Sequence, residues 1–357
     1  MPKLWMTPPR SGATCSDGRV SRPVGPLPPT LVGAARRQEG LVTIRQCLES
    51  GMSRRRVQGH VERKDWERPA RGVYDTGLVV PTSTSDGFAH RRRRTALLGP
   101  LSHEGTVAVG VSALVLHGVQ GSPVRFVPEV AAPRAAHRAP DGPVRVRRIL
   151  VTEPERLDGV LVAPVVDSLA LAIPTLSRAD AVAMMDSALH QGLVTPAGIA
   201  GARARATGRR GARRCEPWWS EPDARSESPA ESWARVTCTA AGVPPDAVQL
   251  VVVRGGQVVA RVDLAWILPD GVVLLVEIDG RDVHSTPDAL LHDRRRQNRI
   301  DTPVTMIRRF TGTEARDGTA AREVSAVLAQ ARWRPRPVAP GLAYCIERAG
   351  LVPQPKV

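Results

Sequence analysis

Three carboxylates stand out late in this sequence of 357 residues: Asp263, Glu277 and Asp279, each set in an otherwise apolar run. The runs, Val258 to Trp266 and Val272 to Ile278, are joined by Pro269-Asp270-Gly271, a turn with preset φ followed by a permissive glycine. They read as neighbouring antiparallel strands. With side chains alternating at period 2, Val258, Ala260, Val262, Leu264 and Trp266 are expected on one face, and Arg261 and Asp263 on the other. On the second strand Val272, Leu274, Val276 and Ile278 share a face, which leaves Glu277 and Asp279 together opposite them. Carboxylates on buried strands are costly unless paired or bound to a metal. Arginines such as Arg261 could neutralise Asp263 and Glu277 in a structural ion-pair network. Alternatively, carboxylate oxygens gathered at a strand end can hold a hard cation, Mg²⁺ or Mn²⁺, which activates water against a phosphodiester. A third arrangement is a glycosidase-like pair, since Glu277 and Asp279 would stand about 6–7 Å apart at the backbone.

The surrounding elements follow from local signals. Ser228-Pro229-Ala230-Glu231 forms a capping box that opens a helix, with Glu231 closing the box. A strand from Val248 to Val253 then pairs with Val258 to Trp266 across a tight Gly255-Gly256 turn. After Gly280 a loop brings His284 to a helix capped by Thr286-Pro287, with Leu290, Leu291 and Ile300 on the packed side and Asp293 and Arg296 three apart. A histidine beside carboxylates favours the imidazolium and suits acid–base work near neutral pH. A strand from Val304 to Phe310 and a helix from Ala320 to Ala331 complete the unit, and residues 335–357 read as a Pro-rich tail.

The ordered set Val262-Asp263, Glu277-x-Asp279-Gly280, His284, Asp293, Arg296 and Arg309-Phe310 resembles a domain family of the PD-(D/E)xK nuclease superfamily, related to very-short-patch-repair (Vsr-type) endonucleases. The resemblance spans roughly Glu227 to Trp333. It implies a restriction-endonuclease-like α/β core with a mixed sheet, and Asp263 and Glu277 as ligands of Mg²⁺ or Mn²⁺. It also implies His284 as the proton-transfer group, and a glutamate on the first helix, here Glu231, facing the site. One departure is plain: the superfamily's usual lysine, two residues after the acidic ligand, is Asp279 here. Vsr-like members also lack that lysine.

Upstream, a compact pattern begins at Gly40. Thr43 caps a first helix that Gly51 ends, Ser53 caps a second with Val57 and Val61 inward, and Trp66 to Tyr74 reads as a hairpin. Helix, turn, helix and β-wing over residues 39–80 make a winged helix-turn-helix, the second helix as reader. Arg54, Arg55 and Arg56 lie in that helix's first turn, where cations oppose the macrodipole; phosphate contacts would account for them. This stretch, through Arg71-Gly72-Val73-Tyr74, resembles the N-terminal domain of AbiEi-type antitoxins. Residues 86–200 form a middle α+β domain, with a basic run at His90 and Arg91 to Arg94, and with Met184 and Met185 as core. Residues 201–223, with six arginines from Arg203 to Arg214, read as a solvated basic linker, and residues 1–38 as a disordered extension.

Composition agrees with a polyanionic partner. Net charge is +15, although only three of the fifty basic residues are lysines, a skew that a GC-rich genome also produces. Five scattered cysteines, without a Cys-x-x-Cys pair, indicate neither a disulfide framework nor structural zinc, and fit a reduced cytoplasm. No run approaches the length of a membrane span, and no Gly-rich loop ends in Gly-Lys-Ser/Thr. The expectation is an α+β, multidomain, cytoplasmic bacterial protein, with residues 224–334 hydrolysing DNA phosphodiesters and Arg54 to Arg56, Arg294 and Arg296 gripping phosphates. Asp293 and Arg309 would support the site. The alternative is a non-catalytic DNA-binding regulator or antitoxin-like protein, with a toxin as possible partner, built on a nuclease-like scaffold.

Overall fold

The computed structural model describes residues 26–132, 144–279 and 299–355. Helices and mixed sheets alternate along the chain, and the fold class is α+β in several units.

The first unit runs α1 (Pro29–Arg37), β1 (Leu41–Thr43), α2 (Ile44–Glu49), α3 (Arg54–Glu62), β2 (Glu67–Ala70) and β3 (Val73–Asp75), with antiparallel sheet order β1-β3-β2. Thr43 forms a capping box with Gln46, and the Ser53 hydroxyl accepts the Arg56 amide at 3.2 Å, so both expected caps start their helices. Helix α1 corrects the reading of disorder for Pro29–Arg37, while residues 1–25 of that stretch lie outside the described residues. Pro29 is tolerated at its first position, and Leu31 and Ala35 are buried beside Val42, Cys47, Val57 and Trp66.

The middle unit carries α4 (Thr84–Ser102), β4 (Val107–Ala108), α5 (Gly110–Leu116), β5 (Glu129–Ala131), β6 (Arg145–Arg147), β7 (Glu155–Leu157), β8 (Val160–Val162), α6 (Val165–Ala172) and α7 (Arg178–His190). Its sheet has the order β6-β5-β4-β8-β7. Met184 and Met185 are fully buried in its core. The segment expected as a linker is instead folded: α8 (Pro196–Ala206), α9 (Ala212–Cys215) and a 3₁₀ turn at Glu216–Ser220 follow directly. Three of its six arginines reach partners elsewhere in the fold. Arg203 pairs with Glu216, Arg205 with Asp167, and Arg214 donates to the Pro174 and Leu176 carbonyls while lying over the Trp218 ring. Part of the basic run on α4 is likewise paired, Arg94 with Asp75, and His90 and Arg93 with Glu39.

The last unit opens with α10 (Pro229–Ala240), capped by Ser228. Then come β9 (Ala247–Arg254), β10 (Gln257–Ile267), β11 (Val273–Asp279) and β12 (Thr305–Thr311), with helices at Gly312–Asp317 and Thr319–Gln330. Strands β9, β10 and β11 are successively antiparallel, whereas β12 lies parallel to β11. The presumed Pro-rich tail also joins the sheet: β13 (Leu342–Cys345) pairs parallel with β9, and β14 (Gly350–Pro353) forms the edge. Two apolar layers cover the sheet. One holds Ala230, Ala234 and Cys238 of α10 with Leu264, Trp266, Leu274, Val276 and Phe310. The other holds Ala260, Val262, Ala265, Val273, Leu275, Ile300 and Tyr344.

The strand faces depart from simple alternation at one place. Cross-strand partners Val248 and Leu264 belong to the first layer, but the next partners, Leu250 and Val262, belong to the second. The expected common face of Val262 and Leu264 is therefore corrected. The phase inverts in both strands at Gln249 and Asp263, which lie between these pairs, and Gln249 has φ +55°.

Candidate functional site

At this inversion the acidic residues gather. The paired ladder of β10 with β11 reaches Leu264–Val276. Next to it, Asp263 Oδ2 accepts the Ile278 amide at 2.8 Å, so a side chain takes a bond that a strand carbonyl would ordinarily make. Asp263 Oδ1 accepts from Gln249 Nε2 at 3.2 Å, and the same nitrogen donates to Glu231 Oε2 at 2.9 Å. One amide thus bridges two carboxylates from different elements. Ser228 accepts the Glu231 amide at 3.3 Å, but Glu231 Oε2 accepts the Glu227 amide at 2.9 Å, one residue before the cap. The expected reciprocal bond to Ser228 is therefore corrected, and the Glu231 carboxylate both anchors the chain entering α10 and faces Gln249.

Burial pushes the Asp263 carboxyl up to about 6; the charges of Glu231 and Glu277 push the same way, while the Ile278 and Gln249 bonds pull it down. Asp263 of β10 thus lies within reach of two further acids, one on α10 and one on β11. Glu277 is buried and its Oε2 pairs with Arg309 Nη2 at 2.9 Å, from the position directly beside it on β12. Arg261 pairs with Glu227 at 2.6 Å. Asp279 is exposed at the end of β11.

Asp246 in the same sheet provides a contrast. It is buried, yet its oxygens accept the Ile267 amide at 2.8 Å, Trp333 Nε1 at 2.9 Å and the Arg336 amide, which satisfies it in full. Asp246 ties strand to helix end. Asp263 instead keeps acidic company.

The structure thus brings together Asp263, Glu277 and Glu231 with the supporting Arg309. His284, Asp293, Arg294 and Arg296 lie outside the described residues. On α3, Arg54 and Arg55 are exposed, while Arg56 is half-buried and donates to the Pro26 carbonyl at 2.9 Å. Gln249 escaped the sequence reading. Its only signal was a polar residue inside the run Ala-Val-Gln-Leu-Val-Val-Val.

Among the described residues no group of three or more His, Cys, Asp or Glu side chains is gathered closely enough to hold a metal ion by itself. The donor chemistry still fits Mg²⁺, which keeps most of its waters and takes one or two carboxylates together with substrate phosphate oxygens. Asp263 and Glu277 supply two such carboxylates on neighbouring strands. Among the described residues no helix is long and apolar enough to cross a membrane. No protein-family model matches this chain, and no curated protein matches it.

Proposed function

We propose that this chain is a Mg²⁺- or Mn²⁺-dependent DNA endonuclease with an N-terminal DNA-binding unit. The observation that carries this reading is the Gln249 amide holding Glu231 and Asp263 together beside Glu277, in a mutually repulsive acidic group. Clustered buried acids are unfavourable alone and become favourable around a cation. Asp263 and Glu277 would hold the ion. When bound, it would supply charge stabilisation at the phosphate and an activated water. Gln249 orients Asp263, Glu231 adds negative charge behind it, and Arg309 fixes Glu277. His284 is the proton-transfer residue that the resemblance implies.

Topology supports the reading. A helix, three antiparallel strands and a fourth strand parallel to the third make the α/β order expected of a restriction-endonuclease-like core. The first unit's order of helix, strand, two helices and a hairpin is that of a winged helix, with α3 presenting Arg54 and Arg55. The reducing cytoplasm remains the compartment proposed for this cysteine usage.

A second reading has its own observation. Arg309 neutralises Glu277, and Asp279 occupies the place of the usual lysine, which suits a non-catalytic DNA-binding regulator or antitoxin-like protein. Incubating supercoiled plasmid with the purified protein and Mg²⁺ or Mn²⁺ separates the two. The nuclease reading expects nicking that Asp263→Ala abolishes while DNA retardation persists. Salt-sensitive retardation with no cutting in either metal favours the regulator, and unchanged cutting by Asp263→Ala overturns the site.

A further inference from the structure

We propose that the chain cuts DNA at a set distance from the duplex segment held by α3, because packed elements join that helix to the acidic site throughout. This rests on the nuclease reading above. A flexible tether between a reading unit and a cutting unit would scatter the cuts, whereas a solid connection makes the protein a ruler.

The connection starts at α4. Its Arg94 pairs with Asp75 of the first unit at 2.6 Å, and Glu39 of that unit receives His90 at 2.7 Å and Arg93 at 3.1 Å. Arg93 also pairs with Asp158, whose carbonyl accepts Gln38 Nε2 at 3.2 Å. Such pairs contribute little when exposed. These are mostly covered, and they frame a shared core in which Leu41, Ala70 and Val73 of the first unit lie with Ala96 and Leu97 of α4. Domain motion is the usual expectation unless an interface is apolar and extensive. Here one apolar core runs from β1, β2 and β3 into the middle unit, and α3 packs on β1 and β3 through Val57 beside Val42 and Tyr74.

The same core reaches Val236 on α10, the helix that carries Glu231. Beside it Arg235 pairs with Asp186 of α7 at 2.7 Å, their side chains 12% and 1% exposed. Arg316 reaches Asp180 of α7 at 2.7 Å and lies over the Trp233 ring. The arginine-rich stretch is part of the frame. At Gly211, φ is +92° and an added Cβ would stand 2.3 Å from the Pro174 carbonyl oxygen, so only glycine lets the chain lie this close.

Two measurements test the proposal. DNA fragments carrying a site selected for tight binding are cut in Mg²⁺ and their ends sequenced. Ends concentrated at one offset per strand support the ruler; ends spread over many positions overturn it. Independently of any cutting, spin labels are placed at the exposed Gln58→Cys and Glu323→Cys positions in a background carrying Cys15→Ser and Cys345→Ser, the other three cysteines being buried. One narrow distance, free and on DNA, supports the ruler, and a broad or multiple distribution overturns it. The double substitution His90→Ala with Arg94→Ala should broaden both distributions while preserving nicking of plasmid DNA. Cutting with broad distances removes the ruler alone; a narrow distance without cutting removes the nuclease reading and with it the cuts.

Discussion

Asp263 and Ile278 meet through a side chain: the aspartate Oδ2 holds the isoleucine amide at 2.8 Å, just past the last paired residues of β10 and β11. The carboxylate is thereby fixed at a strand end among other acids, and its proton affinity is raised by burial first and by those acids second.

Stability should report this directly. The Asp263 carboxyl rises from 3.8 to about 6 on folding, so between those values the folded chain binds more protons than the unfolded one. Stability contributed by this group is therefore lost as pH climbs through that window, and the carboxylate is a burden above it. Asp263→Asn should stabilise the protein near pH 8, by about 3 kcal/mol at most, and the gain should vanish near pH 4. Urea unfolding at several pH values measures it. A variant less stable than the parent at high pH would contradict the assignment.

Gln249 should matter for its amide. Gln249→Leu leaves Glu231 and Asp263 without their shared donor while keeping a side chain of similar size. A loss of about 1–3 kcal/mol is expected from the unmade bonds. Calorimetric titration with Mn²⁺ should also show weaker binding than in the parent. Gln249→Gly would relieve the left-handed backbone, so its stability should exceed that of the Leu variant even though its metal binding is equally poor.

Breaking the Arg235–Asp186 pair should be severe. Arg235→Ala strands a nearly inaccessible carboxylate, with an expected cost of about 3–5 kcal/mol in thermal or urea unfolding. Burial already raises the Asp186 carboxyl, so the variant should recover part of its stability in mild acid, where that group takes up a proton.

DNA contact by α3 makes a salt prediction. Replacing both Arg54 and Arg55 with alanine should weaken binding about equally across sequences, and should lower the slope of log affinity against log salt by about 1–2. Fluorescence anisotropy over a range of salt concentrations reads it. An unchanged slope would show that these side chains touch no phosphate.

What the sequence disclosed was mostly local. Thr43, Ser53 and Ser228 announce their helices because a short side chain reaching two or three residues ahead is encoded in the spacing itself. Helix α1 was hidden by its setting, a proline- and glycine-rich stretch in which Leu31 packs together with only small residues, Ala34 and Ala35. The arginines at 203–214 read as a solvated linker, because sequence shows charges without their partners Glu216 and Asp167, just as Arg93 and Arg94 hide theirs, Glu39, Asp158 and Asp75. Asp263 and Glu277 could be picked out as costly on an apolar strand. Gln249 could not, since its role depends on a left-handed backbone and a phase inversion that period-2 reasoning assumes away.

Helix α10 is covered on both flanks, by the sheet against Ala234 and by the middle unit against Val236. A truncated piece beginning at Ser226 would carry that second flank bare into solvent, with Arg235 robbed of its counter-charge. Such a fragment is a poor stand-in for the intact chain: its failure to fold, clumping or loss of affinity would reflect the missing neighbour, not the chemistry of the acids.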